Sequence, residues 1–545
     1  MKSGKWVVLI ASLCALVLFC VYQIGFVDEL STDIPVISEE KLYKLEQNCK
    51  NLSGDEQTEV TLSFAEEELP FQRDNLTFYL PLSMDTESYE NGSFQATLNG
   101  EVAKVYFSED FTKKEKRSLM KEDTKIPCVI VGENSFYLCY LTLTGTSLIR
   151  FESTEYVTEE QLPLFEMKVY DSSTKKDWVT TCYTTSTLRG NTSLSYDKKS
   201  LRLNLKKQNE DGAFIADKKN LLGLRDDDDW ILNSLYADDA KIKDKLANEL
   251  WNEAGGRSNP YGKIFGTQLE YVEVFMNDGY MGLYGLMYPI DAKQVGTNKV
   301  SEQLAAGESV VERLYKKKYT GQWNKDDFVG VLPDPAMPDY RGGFYVKGDT
   351  ILQNEEEWQP LYELAACIQS EDTIFQEQIT EIANQQNILE NWLFYQAIGG
   401  FDNYAKNYYY LVRNNGGKAY GYFIPWDLNI AFGDVYADNQ YYASYDETVV
   451  HDVIPWEPAN RMLELDVKNS RQMVKDTWKN WRETVFDTEN VISRMEELYQ
   501  DLLDSGAYER ERKRWPNGRY TDDLTNMKRF TKERLSYVDE YVDGL

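Results

Sequence analysis

The spacing of apolar residues changes partway along this chain, and that change restricts its architecture more than any other feature. Between residues 57 and about 155, apolar and polar residues alternate in short runs at 60–64, 94–98, 103–107 and 136–143, separated by Gly and Asn turns. Alternation at period two puts every second side chain on one face of a strand, so a small antiparallel sandwich is predicted over 57–155. From about 160 the pattern is mixed. Strand-like runs occur at 165–170, 201–205 and 271–276, and a helix is predicted over 239–253 with Ile242, Leu246 and Leu250 on one face. A second helix is predicted over 386–398, and from about 457 onward the chain is helical and charge-laced, including 491–503 and 527–541. Strands first and helices later make 160–545 one α+β body with a helical C-terminal part.

The first 26 residues obey a different rule. Residues 6–26 are almost wholly apolar, with Gln23 the only strongly polar side chain, and 21 residues in a helix reach roughly 31 Å, enough to cross a bilayer core. Lys2 and Lys5 precede this run, and Asp28, Glu29 and Asp33 follow it. That asymmetry predicts an uncleaved signal-anchor over 1–26 in the cell membrane, single-pass, with the bulk of the chain extracytoplasmic. A cleaved signal peptide is the alternative, but no small-x-small cleavage site follows the run. Residues 27–56 read as an acidic stalk. The 57–155 module reads as a spacer or accessory domain, with carbohydrate or wall binding through its Tyr and Phe residues as the second reading.

Charge and histidine content exclude several chemistries. The chain carries 59 Lys+Arg against 90 Asp+Glu, a net charge of −31, so nucleic acid is not an expected partner. His451 is the only histidine, which removes multi-histidine zinc sites. Outside the apolar run, five cysteines show no metal-ligand spacing and indicate no disulfide framework. Chemistry therefore falls to carboxylates, amides, lysines and a bound metal.

One segment gathers such groups. Asp402, Asn403 and Asn407 precede a predicted strand at 408–412, a Gly416-Gly417 turn follows, and a second strand at 419–424 runs into Pro425-Trp426-Asp427-Leu428-Asn429 and Phe432-Gly433. A hairpin brings the Asp402/Asn407 loop and the Asp427 loop to the same end. In phosphoryl transfer one carboxylate orients the attacking hydroxyl while an Asn/Asp pair holds magnesium, which takes oxygen ligands and keeps several waters. Turn-capping aspartates with a core tryptophan are the structural alternative.

Ordered blocks around this hairpin carry a family resemblance. They are Leu188-Arg189-Gly190-Asn191-Thr192-Ser193 with Lys198-Lys199-Ser200-Leu201-Arg202-Leu203; Leu221-Leu222-Gly223-Leu224 with Asp228-Asp229-Trp230 and Tyr236-Ala237-Asp238; Lys243-Asp244-Lys245-Leu246-Ala247 with Glu249-Leu250; Val272 to Asn277 with Tyr280 to Tyr284; and the hairpin itself. In these blocks the chain from about 160 to 545 resembles the CotH family of atypical, protein-kinase-like proteins first associated with bacterial spore coats. The resemblance implies a kinase-like fold that binds ATP and Mg2+ and phosphorylates serine or threonine in a protein, such as a coat or surface protein. By position it makes Asp402 the catalytic aspartate and Asn407 and Asp427 the metal ligands. It makes Lys199, with Arg189 nearby, the phosphate-binding cation, Lys206 being the other candidate, and Glu249 the helix carboxylate that pairs with that lysine. Two positions depart from the family pattern: Tyr288 and Asn429 stand where acidic residues are usual. The alternative function is a surface or spore-coat interaction module with a catalytically weak or inactive kinase fold. A carboxylate-pair glycosidase is a third reading, favoured by nothing beyond abundant Asp and Tyr.

Overall fold

The computed structural model describes residues 34–545 apart from 154–162, 174–176, 331–335, 438–439 and 444–446. The predicted anchor at 6–26 lies outside the described residues. Among those described, no helix is long and apolar enough to cross a membrane. The chain is a mixed α+β protein and divides into two compact units, one built mainly from residues up to 147 and the other from most of the rest.

In the first unit the alternating runs become strands Val60–Phe64, Phe94–Leu98, Glu101–Phe107 and Ser135–Thr144, within a nine-stranded sheet. Leu62, Phe64, Leu98, Phe107, Leu141 and Leu143 share one core. The sheet is not wholly antiparallel, because Ser135–Thr144 has parallel neighbours in Thr77–Pro81 and Lys50–Asn51. Period-two alternation is the same for both pairings, so the sequence carries no sign of the difference. Cys128 and Cys139 lie directly opposite each other on antiparallel strands, buried, with their free thiols 3.0 Å apart.

The second unit opens with a sheet that closes on itself. Its strand order runs Val179–Arg189, Leu164–Tyr170, Ser147–Glu152, Leu269–Met276, Gly279–Met287, Asp229–Asn233 and Ser200–Gln208, and the first and last of these also pair. The seven strands close around an apolar filling of Phe151, Phe165, Leu203, Trp230, Val274 and Leu286, and an eighth, Phe214–Ala216, pairs with the end of Ser200–Gln208. The strand Ser147–Glu152, which the alternation placed with the 57–155 module, joins this ring.

Beyond the ring, Gln385–Ile398 is a core helix with every side chain from Asn387 to Ile398 buried. Against it lies a five-stranded sheet in the order Tyr340–Arg341, Phe344–Lys347, Arg313–Lys317, Tyr408–Asn415 and Lys418–Pro425. Asn387 and Asn391 lock the helix to the hairpin. Their side-chain amides donate to the Phe423 carbonyl at 3.0 and 3.1 Å, and the Phe423 N–H returns a bond to Asn387 at 2.6 Å. The C-terminal part is helical, ending in Thr488–Asp504, Ala507–Arg514 and Thr525–Asp543.

Candidate active site

Helix Gln385–Ile398 stops at Gly399, whose φ of +66° turns the chain into the loop that carries Asp402 and Asn407. Strand Tyr408–Asn415 follows, and its hairpin partner Lys418–Pro425 returns to deliver Trp426 and Asp427 beside that loop. The two loops are stapled together. Asn407 N–H donates to the Lys317 carbonyl and Trp426 N–H to the Asn407 carbonyl, each at 3.0 Å. Asn403, fully buried, sends its side-chain amide to the carbonyls of both Asn407 (3.0 Å) and Trp426 (2.9 Å). Asn407 and Asp427 themselves sit in the left-handed region, at φ +60° and +59°. Asn and Asp are the non-glycine residues that tolerate it best.

These loops floor a cleft of about 430 Å³ that is lined by Asp402, Asn407, Asp427 and Arg189 among others. Asn407 Nδ2 donates to Asp402 Oδ2 at 2.6 Å, which leaves Oδ1 as the amide's remaining polar atom. Asp402 Oδ1 meets Lys406 at 3.2 Å. Burial holds the Asp402 carboxyl above its ordinary pKa, with Lys406 opposing that shift and Asp427 adding to it. The turn after Val179–Arg189 forms another wall. Gly190 is needed there: its φ is +126°, and a Cβ would lie 1.8 Å from Ser193 Oγ.

Three of the sequence-predicted residues lie elsewhere. The Lys199 amine donates to the carbonyls of Leu194 (2.6 Å) and Tyr196, so it closes the turn of its own loop and does not line the cleft. Lys206, further along the same strand, does not line it either. Glu249 pairs with Lys245 (3.1 Å) and Arg494 (3.2 Å). The residue of that helix that lines the cleft is Asp244. At about 100° per residue, a side chain five positions on points roughly 140° away around the helix.

Sequence reasoning missed Asp244 and Lys316. Asp244 is buried, accepts from Asn233 (2.7 Å), Asn248 (2.9 Å) and the Leu428 N–H (3.3 Å), and is pushed up to about 7 by burial and then by Asp427. Asp244, Asn248 and Asn252 form a buried polar stripe at spacing four on that helix, but nothing local in the sequence ties it to the hairpin. Lys316 lines the cleft over Trp426, 5.1 Å from the ring centroid, and its amine is pushed down to about 7 by burial and then by Arg189. Its signal was faint, one lysine among three in a row at the end of a short strand.

Of the remaining singled-out residues, Asn429 lines the cleft, whereas Tyr288, His451 and the acidic run 226–229 do not. Tyr288 is buried in the ring core with Arg225 over its face at 4.4 Å, and His451 packs edge-on to Tyr537 at 5.4 Å. In the acidic run 226–229, Asp227, Asp228 and Asp229 are paired with Arg225, Lys293 and Arg202.

Asp402, Asn407 and Asp427 thus sit on stapled loops in one cleft with Arg189, Lys316 and the Gly190 turn. The family model described as CotH kinase protein matches residues 187–538, well over half of the sequence, and the chain belongs to the CotH family. No curated protein matches it. Among the described residues, no three His, Cys, Asp or Glu side chains are grouped to hold a metal by themselves. The donors fit magnesium in another way. Asp427 and Asn407 offer hard oxygen donors of the kind magnesium takes, and magnesium is commonly completed by phosphate oxygens and water.

Proposed function

We propose that this chain is an atypical serine/threonine protein kinase of CotH type that transfers phosphate from Mg-ATP to a protein substrate. One observation carries the reading: the hairpin and Asn403 hold Asp402, Asn407 and Asp427 in one cleft. Asp402 orients and deprotonates the acceptor hydroxyl. Asn407 fixes Asp402 through its amide nitrogen and offers its oxygen, with Asp427, as the magnesium ligands. Magnesium, when bound, neutralises charge on the phosphate oxygens. Arg189 and Lys316, both electrostatic neighbours of Asp427, take the phosphates in place of Lys199. With its pKa near 7, Lys316 is only partly charged at neutral pH until an anion arrives. Nucleotide affinity should therefore fall as pH rises above 7.

The test uses two variants that fail differently. Asp402→Asn keeps size and polarity, so Mg-ATP still shifts the melting temperature while transfer of labelled phosphate falls 100-fold or more, as for loss of a general base. Asp427→Ala removes a ligand oxygen, so the Mg-dependent shift shrinks as well. Equal transfer by wild type and both variants would show that the hairpin is only scaffold. Absence of any nucleotide-induced shift in wild type favours the interaction-module reading.

Membrane anchoring and an extracytoplasmic bulk belong to the same proposal, on the strength of residues 6–26 and the Lys2/Lys5 flank. Protease added to intact cells digests the region beyond 26 on this placement, and full protection excludes it.

A further inference from the structure

We propose that Cys128 and Cys139 are joined by a disulfide in the native chain, a cross-link between neighbouring strands of the first unit that closes while that unit folds. The inference is independent of the kinase chemistry. It rests on the extracytoplasmic placement proposed above, which brings the chain to an oxidant.

Cysteine spacing marks no framework, but the sheet register marks a pair. Strands Ile126–Val131 and Ser135–Thr144 run antiparallel with Cys128 directly opposite Cys139. Opposed residues share a face, so both sulfurs turn into one core, where the two residues are 4% and 2% exposed. The Tyr140 N–H donates to the Leu76 carbonyl on the far side of its strand, so Cys139 turns its own backbone groups towards Cys128. Hydrogen-bonded pairs of this kind have Cα atoms about 5.5 Å apart, inside the range of about 4.4–6.8 Å that a disulfide spans. The sulfurs lie 3.0 Å apart, and drawing them to a bond of about 2.05 Å is a movement of about 1 Å. The other described cysteines sit elsewhere. Cys49 packs with Val129 and Phe136 on the opposite face of the sheet, and Cys182 and Cys367 belong to two other cores.

Burial sets when the bond can form. The attacking species is a thiolate, and burial holds the Cys139 thiol well above its ordinary pKa, with Cys128 adding to that shift. In the folded sheet both sulfurs are also shut off from any oxidant. In the open chain one thiolate attacks a disulfide-bearing oxidant, either an oxidoreductase or a small-molecule disulfide. A mixed disulfide forms, and the oxidant's first sulfur leaves and takes up a proton. The second cysteine's thiolate then attacks the protein sulfur of that mixed disulfide. The Cys128–Cys139 bond forms, and the oxidant's second sulfur leaves and is protonated in turn. The protein gives up two electrons and two protons, and the oxidant takes up both. Once the strands pair, the same core shields the bond from reductants. Because the turn at 132–135 lies between the two cysteines, the bond fixes the register of this strand pair.

The experiment uses the full chain in the cells that carry it. Cells are quenched in acid, the chain is denatured and treated with N-ethylmaleimide, and it is then cut after glutamate. Glu133 lies between the two cysteines, so their peptides stay joined through the bond and separate on reduction. Joined peptides with both sulfurs unalkylated are the expected result. In Cys128→Ala, Cys139 should alkylate fully, and continued protection there overturns the pairing. Alkylation of both sulfurs in the wild-type chain overturns the proposal, and refolding the reduced chain from urea with oxidised glutathione shows which premise failed. A bond that closes in refolding puts the fault in the placement. A chain that refolds and stays reduced puts it in the pairing and leaves the placement standing. Timing has its own readout: oxidised glutathione should close the bond at least tenfold faster during refolding than when added to the folded, reduced chain. Equal rates overturn closure during folding.

Discussion

At the residue scale, two buried polar side chains do opposite things. Asn403 is satisfied in its two donor bonds and ties together the loops that carry Asn407 and Asp427. Asn403→Ala takes the side-chain donor from the Trp426 carbonyl and leaves the Asn407 carbonyl with the Trp426 N–H alone, a cost of about 1–3 kcal/mol for a buried group. Its effect on Mg-dependent nucleotide binding should exceed what that stability loss explains. Binding measured well below the melting temperature checks this, and undiminished binding there would reduce Asn403 to a structural role. Glu390 sits on the core helix with little compensation, and burial pushes its carboxyl up to about 7 from an ordinary 4.5. The sign follows from linkage. The unfolded chain ionises first, so a penalty on folding grows as pH climbs from about 4.5 and is complete above about 7. Glu390→Gln should therefore raise stability at pH 8 by up to about 3 kcal/mol and change it little at pH 4, at roughly 1.4 kcal/mol per pKa unit. Urea midpoints at the two pH values decide it, and an equal gain at both would show that the carboxyl is not strained by charge.

At the element scale, periodicity made much of the fold legible. The runs at 60–64 and 94–98 are the observed strands Val60–Phe64 and Phe94–Leu98, and the helix read over 386–398 is Gln385–Ile398. The helix read from 239 begins only at Lys243, because the Asp238 carboxylate takes the N–H groups of Ala240, Lys241 and Lys243 and holds that stretch as a loop. Local pattern cannot show ring closure, since Val179–Arg189 meets Ser200–Gln208 through a register that no single strand encodes. The same limit applied to the site. Asp402, Asn407 and Asp427 were readable because a short hairpin joins them, and Gly416-Gly417 marks its turn. Asp244 and Lys316 were not, because they lie 158 and 86 residues from Asp402 in sequence (402 − 244, 402 − 316) and reach the cleft only through tertiary packing. Lys199 misled for the converse reason: its neighbours in sequence line the cleft while its own amine is consumed by local carbonyls.

At the scale of the whole second unit, the ring and the C-terminal helices are joined by buried charge. Lys198 Nζ donates to Glu511 Oε1 at 2.7 Å, and Glu511 Oε2 accepts the Leu283 N–H at 2.8 Å, with both side chains fully buried. Arg510 adds a two-pronged bond to Glu273 at 2.7 Å on each arm. Lys198 ends the 190–199 turn that walls the cleft and anchors it to Glu511, so helix Ala507–Arg514 bears on the site although it contributes no lining residue. Buried pairs of this kind add little net stability, but breaking one leaves a charge stranded at a cost of about 3–5 kcal/mol. Glu511→Gln should therefore destabilise by that order, and Lys198→Met alone by a similar amount. The double variant Lys198→Met/Glu511→Gln should recover much of the loss, because no uncompensated charge remains. Chemical denaturation of the four proteins gives the coupling energy. Additive losses would mean that the pair is not coupled and that each side chain acts through separate packing. If the coupling is found, the double variant asks the functional question: with stability restored and the charges gone, a persistent fall in nucleotide binding would show that the charged tether sets the shape of the turn at 190–199, beyond holding the two parts together.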